Sequence, residues 1–151
     1  MIVIIRGPEL RGVMKICKIT KTFALPILFL LALGVNVNAN DSPPIFETNS
    51  TQGYTVKIFS SLNPILLNQI HEWQLSIERN NAPVSGATIV LTGGMPNHDH
   101  GLPTQPKITS EPAPGRYILE GIRFHMPGLW EIIIDISGDG PQDTATIEFK
   151  L

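Results

Sequence analysis

A strict alternation of apolar and polar side chains is the sequence feature that most restricts how this chain can fold. In residues 71–78 every second position lies on one predicted face, and these positions are His71, Trp73, Leu75 and Ile77. A period of two is typical of a β-strand with one buried face. Because no comparable stretch has the period of an amphipathic helix, the pattern predicts an all-β chain.

Other segments have strand patterns and are separated by turn-forming residues. They are 54–58, 87–92, 115–120, 129–136 and 144–150, and 129–136 is predicted to be central in a sheet. Gly93-Gly94 is expected to end the 87–92 strand, and prolines predict irregular structure or a sheet edge in much of 93–115. About seven short strands predict an immunoglobulin-like antiparallel β-sandwich.

The first 39 residues have the organisation of a secretory signal peptide. Three lysines, the last at Lys21, precede an apolar run from Phe23 to Val35, and the segment ends at the small residue Ala39. That run is about 13 residues long, whereas a membrane-spanning helix needs roughly 20. Export to the periplasm with no permanent membrane span is therefore predicted. The alternative is a protein anchored to the membrane by the uncleaved segment.

The exported part is predicted to be a flexible lead-in, residues 40–53, followed by one domain over residues 54–151. The five basic residues and one acidic residue before residue 40 leave six basic and 12 acidic residues, a net charge of −6. This charge argues against a nucleic-acid partner. The only cysteine, Cys17, lies in the signal segment, so the exported part has no thiolate ligand or nucleophile. No catalytic motif is present either, and we expect a protein that is not an enzyme.

Two short clusters of histidine and methionine carry the chemistry that this sequence offers. The first contains Met95, His98 and His100, and the second contains His125 and Met126. Imidazole and thioether groups bind soft or borderline transition ions, copper above all. Side chains at i and i+2 of an extended segment point the same way, so His98 and His100 are predicted to chelate one ion. The alternative is that both are surface histidines in a polar loop.

Either cluster alone supplies too few ligands, so a site requires the 93–103 loop and the 124–128 turn to lie at the same end of the sandwich. Pro127 and Gly128 favour a type II turn in the second cluster. His125 and Met126 could instead only flank this turn, with Met126 closing the core.

Three further aromatic residues have structural interpretations. His71 is either a ligand at a strand end or a partly buried histidine bonded to the backbone, and we prefer the second interpretation. Trp73 and Trp130 are assigned to core packing because both lie in strongly alternating strands.

The two clusters lie in the first and the last of three sequence motifs. The motifs are Gly93-Gly94-Met95-Pro96-x-His98-x-His100-Gly101-Leu102-Pro103-Thr104-x-Pro106, Gly115-x-Tyr117-x-Leu119-Glu120-Gly121 and Phe124-His125-Met126-Pro127-Gly128-x-Trp130-Glu131. Together they resemble the YtkA-like domain family, a group that overlaps proteins labelled FixH-like, and the resemblance extends over residues 54–150.

This resemblance implies a small β-sandwich domain, exported or tethered to a membrane and associated with copper handling and the assembly of haem-copper oxidases. It implies copper ligands at Met95, His98, His100 and Met126, with His125 as a further candidate. FixH proteins keep a membrane helix, whereas the apolar segment here has the features of a cleavable one. A copper-receiving protein or a membrane protein is the expected partner.

Two functions from different classes are consistent with the sequence. One is a periplasmic copper-binding protein that acts as a chaperone or a reservoir. The other is a β-sandwich recognition module that binds a protein or small ligand through the same loops, without a metal.

Overall fold

The computed structural model describes residues 42–151, so the predicted signal peptide, residues 1–39, lies outside the described part. Strands dominate this part, and it contains no helix able to cross a membrane. The strands are β1 Phe46–Asn49, β2 Tyr54–Ser60, β3 His71–Arg79, β4 Ala82–Pro83, β5 Thr88–Met95, β6 His100–Gly101, β7 Lys107–Ala113, β8 Arg116–Ile122, β9 Leu129–Ser137 and β10 Asp143–Lys150.

The strands form two antiparallel sheets that pack face to face. One has the order β1-β2-β3-β8-β7, with the short β4 paired to β3, and the other has the order β10-β9-β5-β6. The series β2-β3-β8-β7 and β10-β9-β5 follow the A-B-E-D and G-F-C orders of an immunoglobulin-like sandwich. The predicted fold class is confirmed, and the strands added to that arrangement are the short β1, β4 and β6.

The core lies between the inner faces of the two sheets. On β3 the alternating positions predicted from sequence are buried, and β9 buries Trp130, Ile132, Ile134 and Ile136 in the same way. Burying each large apolar side chain of this kind stabilises the fold by about 1.5–3 kcal/mol. The period of two therefore determines which face of each strand meets the opposite sheet.

The segment predicted to be a flexible lead-in, residues 40–53, contains a strand. Residues 46–49 form β1 and pair with β2, which corrects that prediction. The Phe46 ring lies 4.5 Å from the Phe149 ring and 6.1 Å from the Trp73 ring, measured between centroids. This aromatic contact holds β1 against the sandwich.

Strand β5 continues through Gly93 and Gly94, which corrects the prediction that they end it. A Cβ on Gly93 would lie 2.6 Å from the Glu131 carbonyl oxygen, and one on Gly94 would lie 2.6 Å from the His100 carbonyl oxygen. The two glycines therefore permit close approach of β9 and β6 rather than a break. Further along the chain, β7 is an edge strand containing Pro112, so the edge interpretation of that region is confirmed there.

A carboxylate ties the turn between β1 and β2 to β10. Asp143 accepts hydrogen bonds from Thr51 Oγ1 at 3.0 Å and from the Gln52 backbone N–H at 2.6 Å. Hydrogen bonding from Ser50, followed by that from Gln52, lowers the pKa of Asp143 to about 2. The carboxylate is therefore ionised throughout the range in which proteins usually fold.

Candidate metal centre

A tight turn between β5 and β6 holds the first cluster. The His98 N–H donates to the Met95 carbonyl at 2.9 Å, and Asp99 has a φ of 52°. His98 therefore lies in a turn, and the prediction that an extended segment aligns it with His100 is wrong. The turn still brings the two imidazole rings together, with centroids 5.8 Å apart. Within the hairpin, Met95 and His100 are directly opposed.

The second cluster lies in the connection between β8 and β9. Phe124 is buried in the core, and its carbonyl accepts a hydrogen bond from the Asn68 N–H at 2.7 Å. Gly128 has a φ of 137°, which agrees with the predicted need for a positive φ. The N–H of Gly128 donates to the Leu151 carbonyl at 2.8 Å, and its carbonyl accepts from the Leu151 N–H at 3.0 Å. These contacts fix both ends of the segment that carries His125 and Met126.

The two clusters meet at the same end of the sandwich, as the sequence predicted. The His100 and His125 ring centroids are 5.0 Å apart, with an angle of 47° between the ring planes. Gly128 contacts the first cluster as well, because a Cβ on it would lie 2.6 Å from Met95 Cε. The placement is confirmed, whereas the role of these residues as ligands stays a prediction.

Two nitrogen atoms in this cluster are buried without partners. His100 Nδ1 and His125 Nδ1 have no hydrogen-bond partner among residues 42–151. Leaving a buried polar atom unpaired costs about 1–3 kcal/mol. A ligand that accepts the lone pair of an imidazole nitrogen would remove that cost, so these two residues fit a bound transition ion.

The remaining candidates differ in how accessible they are. His98 is exposed on the turn, Met95 is only 2% exposed, and Met126 is partly buried against the core. Met126 thus closes the core as one sequence interpretation proposed, and it also lies directly beside His125. The cluster extends from an exposed imidazole to a buried thioether.

The methionines are the other candidate ligands at this end of the sandwich. Among residues 42–151, no three His, Cys, Asp or Glu side chains are grouped so that they could hold a metal ion. Ring contacts connect His98 to His100 and His100 to His125. The three imidazoles thus form a series of ring contacts, and the thioethers of Met95 and Met126 are the remaining candidate ligands beside it.

Trp130 is a member of the cluster that sequence reasoning missed. Its ring centroid lies 5.7 Å from that of His125 and 6.4 Å from that of His100. Its Nε1–H donates to the Met126 carbonyl at 3.0 Å. The assignment to core packing holds, because the side chain is fully buried, but it is incomplete. The sequence feature that could have indicated this membership is the position of Trp130 in the third motif, four residues after Met126.

His71 stands apart from this cluster. It is 6% exposed, and its Nδ1 lies 3.1 Å from the Gln69 carbonyl oxygen. Burial lowers the pKa of His71, and the hydrogen bond to Gln69 opposes that effect only in part. The preferred interpretation, a buried histidine bonded to the backbone, is confirmed. Its ring packs 6.0 Å from that of Phe124 instead of joining the other imidazoles.

These features define a class of protein: an immunoglobulin-like β-sandwich domain with a His/Met cluster on the loops at one end. The chain belongs to the YtkA-like family, whose model matches residues 48–135. The match begins within β1, in agreement with the finding that residues 46–49 form a strand of the sandwich.

Among solved structures, the fold is similar to that of a DUF4426 family protein from Pseudomonas aeruginosa PAO1. The TM-score is 0.52 and the sequence identity is 13%, over 70% of this chain and 96% of that chain. At this identity the similarity concerns the fold alone. The search of curated proteins found no match.

Proposed function

We propose that this chain is an exported copper-binding protein that acts as a chaperone or a reservoir and not as an enzyme. The proposed ligands are Met95, His98, His100, His125 and Met126. The observation that supports the proposal best is a pair of buried Nδ1 atoms that have no hydrogen-bond partner within residues 42–151, on two imidazoles whose centroids are 5.0 Å apart. Both lie beside methionine residues.

The ligand chemistry favours copper over other ions. Thioether and imidazole groups together suit Cu(I), whereas the histidines alone would hold Cu(II) more weakly. A blue-copper site requires a cysteine thiolate, and the exported part of this chain has no cysteine. Copper binding should weaken as the pH falls below neutral, because a protonated imidazole cannot act as a ligand.

The gradient of accessibility suits transfer of the ion. His98 is exposed on its turn, while His100 and Met95 lie progressively deeper. An exposed ligand can exchange with a ligand from another protein while the buried ones retain the ion. The proposed partner is therefore a copper-receiving or membrane protein, and the family resemblance suggests respiratory oxidase assembly as the setting.

Copper titration of the purified protein tests this function. The parent chain should bind Cu(I), and His100→Ala combined with His125→Ala should abolish that binding. His71→Ala is the matched control, because it removes a buried imidazole outside the cluster and should leave copper binding intact. A parent chain that binds neither Cu(I) nor Cu(II) would refute the proposal.

The export component has a separate test. We propose that the mature protein begins near Asn40 and is found in the periplasm. N-terminal sequencing of protein from the periplasmic fraction should give that start. Recovery from membranes with residues 14–39 still attached would favour the anchored alternative.

A second candidate function is the recognition module without a metal. A cavity of about 380 Å³ lies beside the same hairpin, and Gly93, Gly94, Asp99 and Glu131 contribute to its lining. Such a cavity could hold a small ligand or a side chain of a partner. The copper titration separates the two candidates, because the module would show no affinity for copper.

A further inference from the structure

The indole of Trp130 connects the two ligand clusters in two different ways. Its ring packs beside the imidazoles of His100 and His125, with planes inclined at 63° and 73°. Its Nε1–H is bonded to the carbonyl of Met126 at 3.0 Å. The first contact involves nitrogen ligands, whereas the second holds the backbone of a sulfur ligand.

We propose that Trp130 is a positioning residue that makes this site selective for Cu(I) over Cu(II). The inference rests on the proposed copper-binding function and specifies how the ligand set discriminates between oxidation states. Trp130 acts through Met126, whose backbone it fixes, and does not ligate the ion itself.

The backbone around Met126 explains why one hydrogen bond matters. Met126 lies between β8 and β9, outside the strand ladders, and the backbone hydrogen bonds on either side of it are at Phe124 and Gly128. His100, in contrast, is held by the pairing of β6 with β5. Loss of the indole donor should therefore free the thioether of Met126 more than the imidazole of His100. It should also free it more than the imidazole of His125, whose peptide bond to Phe124 is held by the Asn68 N–H. Since sulfur favours Cu(I), the affinity for Cu(I) should decrease more than the affinity for Cu(II).

A comparison with the second tryptophan shows that core packing does not account for this hydrogen bond. Trp73 is also fully buried, yet its Nε1 has no hydrogen-bond partner among residues 42–151. The hydrogen bond of Trp130 is therefore specific to its place beside Met126 and is not shared by both buried indoles of this core. Phenylalanine could occupy much of the space at position 130, but it has no donor for the Met126 carbonyl.

The test compares Trp130→Phe with Trp73→Phe in the full-length protein. For Trp130→Phe we expect Cu(I) affinity to fall about two- to tenfold, the effect of losing one hydrogen bond, while Cu(II) affinity stays nearly constant. Trp73→Phe should remove similar packing and leave both affinities near their parent values. Equal losses for Cu(I) and Cu(II) in Trp130→Phe would overturn the inference.

A double-mutant cycle identifies the route of the effect. In a Met126→Leu background, Trp130→Phe should cause no further loss of Cu(I) affinity, because the sulfur it positions is already gone. Additive losses would mean that Trp130 does not act through Met126. If the parent binds no copper, this inference and the proposed function both fail, whereas additive losses in a chain that binds copper overturn this inference alone.

Fluorescence provides a measurement that does not depend on the folding of Trp130→Phe. The chain has two tryptophans, so Trp73→Phe leaves Trp130 as the sole indole emitter. Saturation with Cu(I) should change that emission, because the ring lies beside both buried imidazoles. Emission that is unchanged while Cu(I) binds would place the ion elsewhere and overturn the inference.

Discussion

Gly128 and Met95, although 33 positions apart in the chain, are in such close contact that a Cβ on residue 128 would lie 2.6 Å from Met95 Cε. Gly128 also has a φ of 137°, a conformation that residues other than glycine rarely adopt. This one position therefore controls both the path of the second cluster and the space available to a buried thioether of the first.

Gly128→Ala should destabilise the fold and weaken Cu(I) binding. Backbone strain at such a position costs about 1–3 kcal/mol. In addition, the new methyl group must displace the end of Met95. Gly86→Ala is the matched control, since Gly86 has a φ of 68° but a Cβ added there would meet no atom of residues 42–151 within 4 Å. Denaturant unfolding and copper titration of both variants would separate the two effects. Equal loss of Cu(I) affinity in both would contradict a role for the contact with Met95.

Met95→Leu and Met126→Leu should each weaken Cu(I) binding far more than Cu(II) binding. The exchange removes sulfur and keeps a similar volume, so the stability cost should stay below about 1.5 kcal/mol. Competition with a chelator of known affinity would measure both ions. If each variant binds Cu(I) like the parent, then the thioethers are core residues and not ligands.

His98→Ala should slow the transfer of copper from this chain to an acceptor and leave the stability of the fold nearly unchanged. His98 is exposed, and substitutions at such surface positions usually change stability by less than about 0.5 kcal/mol. With His100 also changed to alanine, binding of Cu(I) and Cu(II) should be lost. Stopped-flow transfer to a chelator would measure the single variant, and an unchanged rate would argue against His98 as the exchanging ligand.

Asp143→Asn should remove part of the acid sensitivity of the fold. The pKa of Asp143 is lowered to about 2 in the folded chain from an ordinary value of 3.8, so the stability it contributes is complete above pH 4 and is lost as the pH falls towards 2. The asparagine variant should be less stable at neutral pH and show a flatter profile between these values. Thermal unfolding from pH 2 to 7 would measure this, and parallel profiles for parent and variant would contradict it.

The strand pattern could be predicted from sequence because it follows from local chemistry. The general place of the site could be predicted because either cluster alone supplies too few ligands. Alternation in residues 71–78 identified the inner face of β3, and the positive φ of Gly128 followed from Pro127-Gly128. The error at His98 was local, since its N–H closes a turn onto the Met95 carbonyl. The other errors depended on contacts between distant residues. The sequence around Gly93 has the pattern of a strand end, and only the close passage of β9 explains why the strand continues through it.

Trp130 illustrates the same limit for the site. Its alternation with Ile132 correctly placed it in the core. Alternation cannot reveal that an inward-facing indole at the end of a strand also reaches a loop carbonyl and two imidazoles. Similarly, β1 was missed because its Phe46 ring packs against the ring of Phe149 in β10, which is distant in the sequence.

The two hydrogen bonds between Gly128 and Leu151 link the ligand loop to the residue that follows β10. Segments that share hydrogen bonds open together as cooperative units. Opening of the metal end should therefore accompany separation of β10 from the sheet, and the amide protons of Gly128 and Leu151 should exchange with solvent at matched rates. The lifetime of this pair of hydrogen bonds would then set an upper limit on how long the loop can retain an ion.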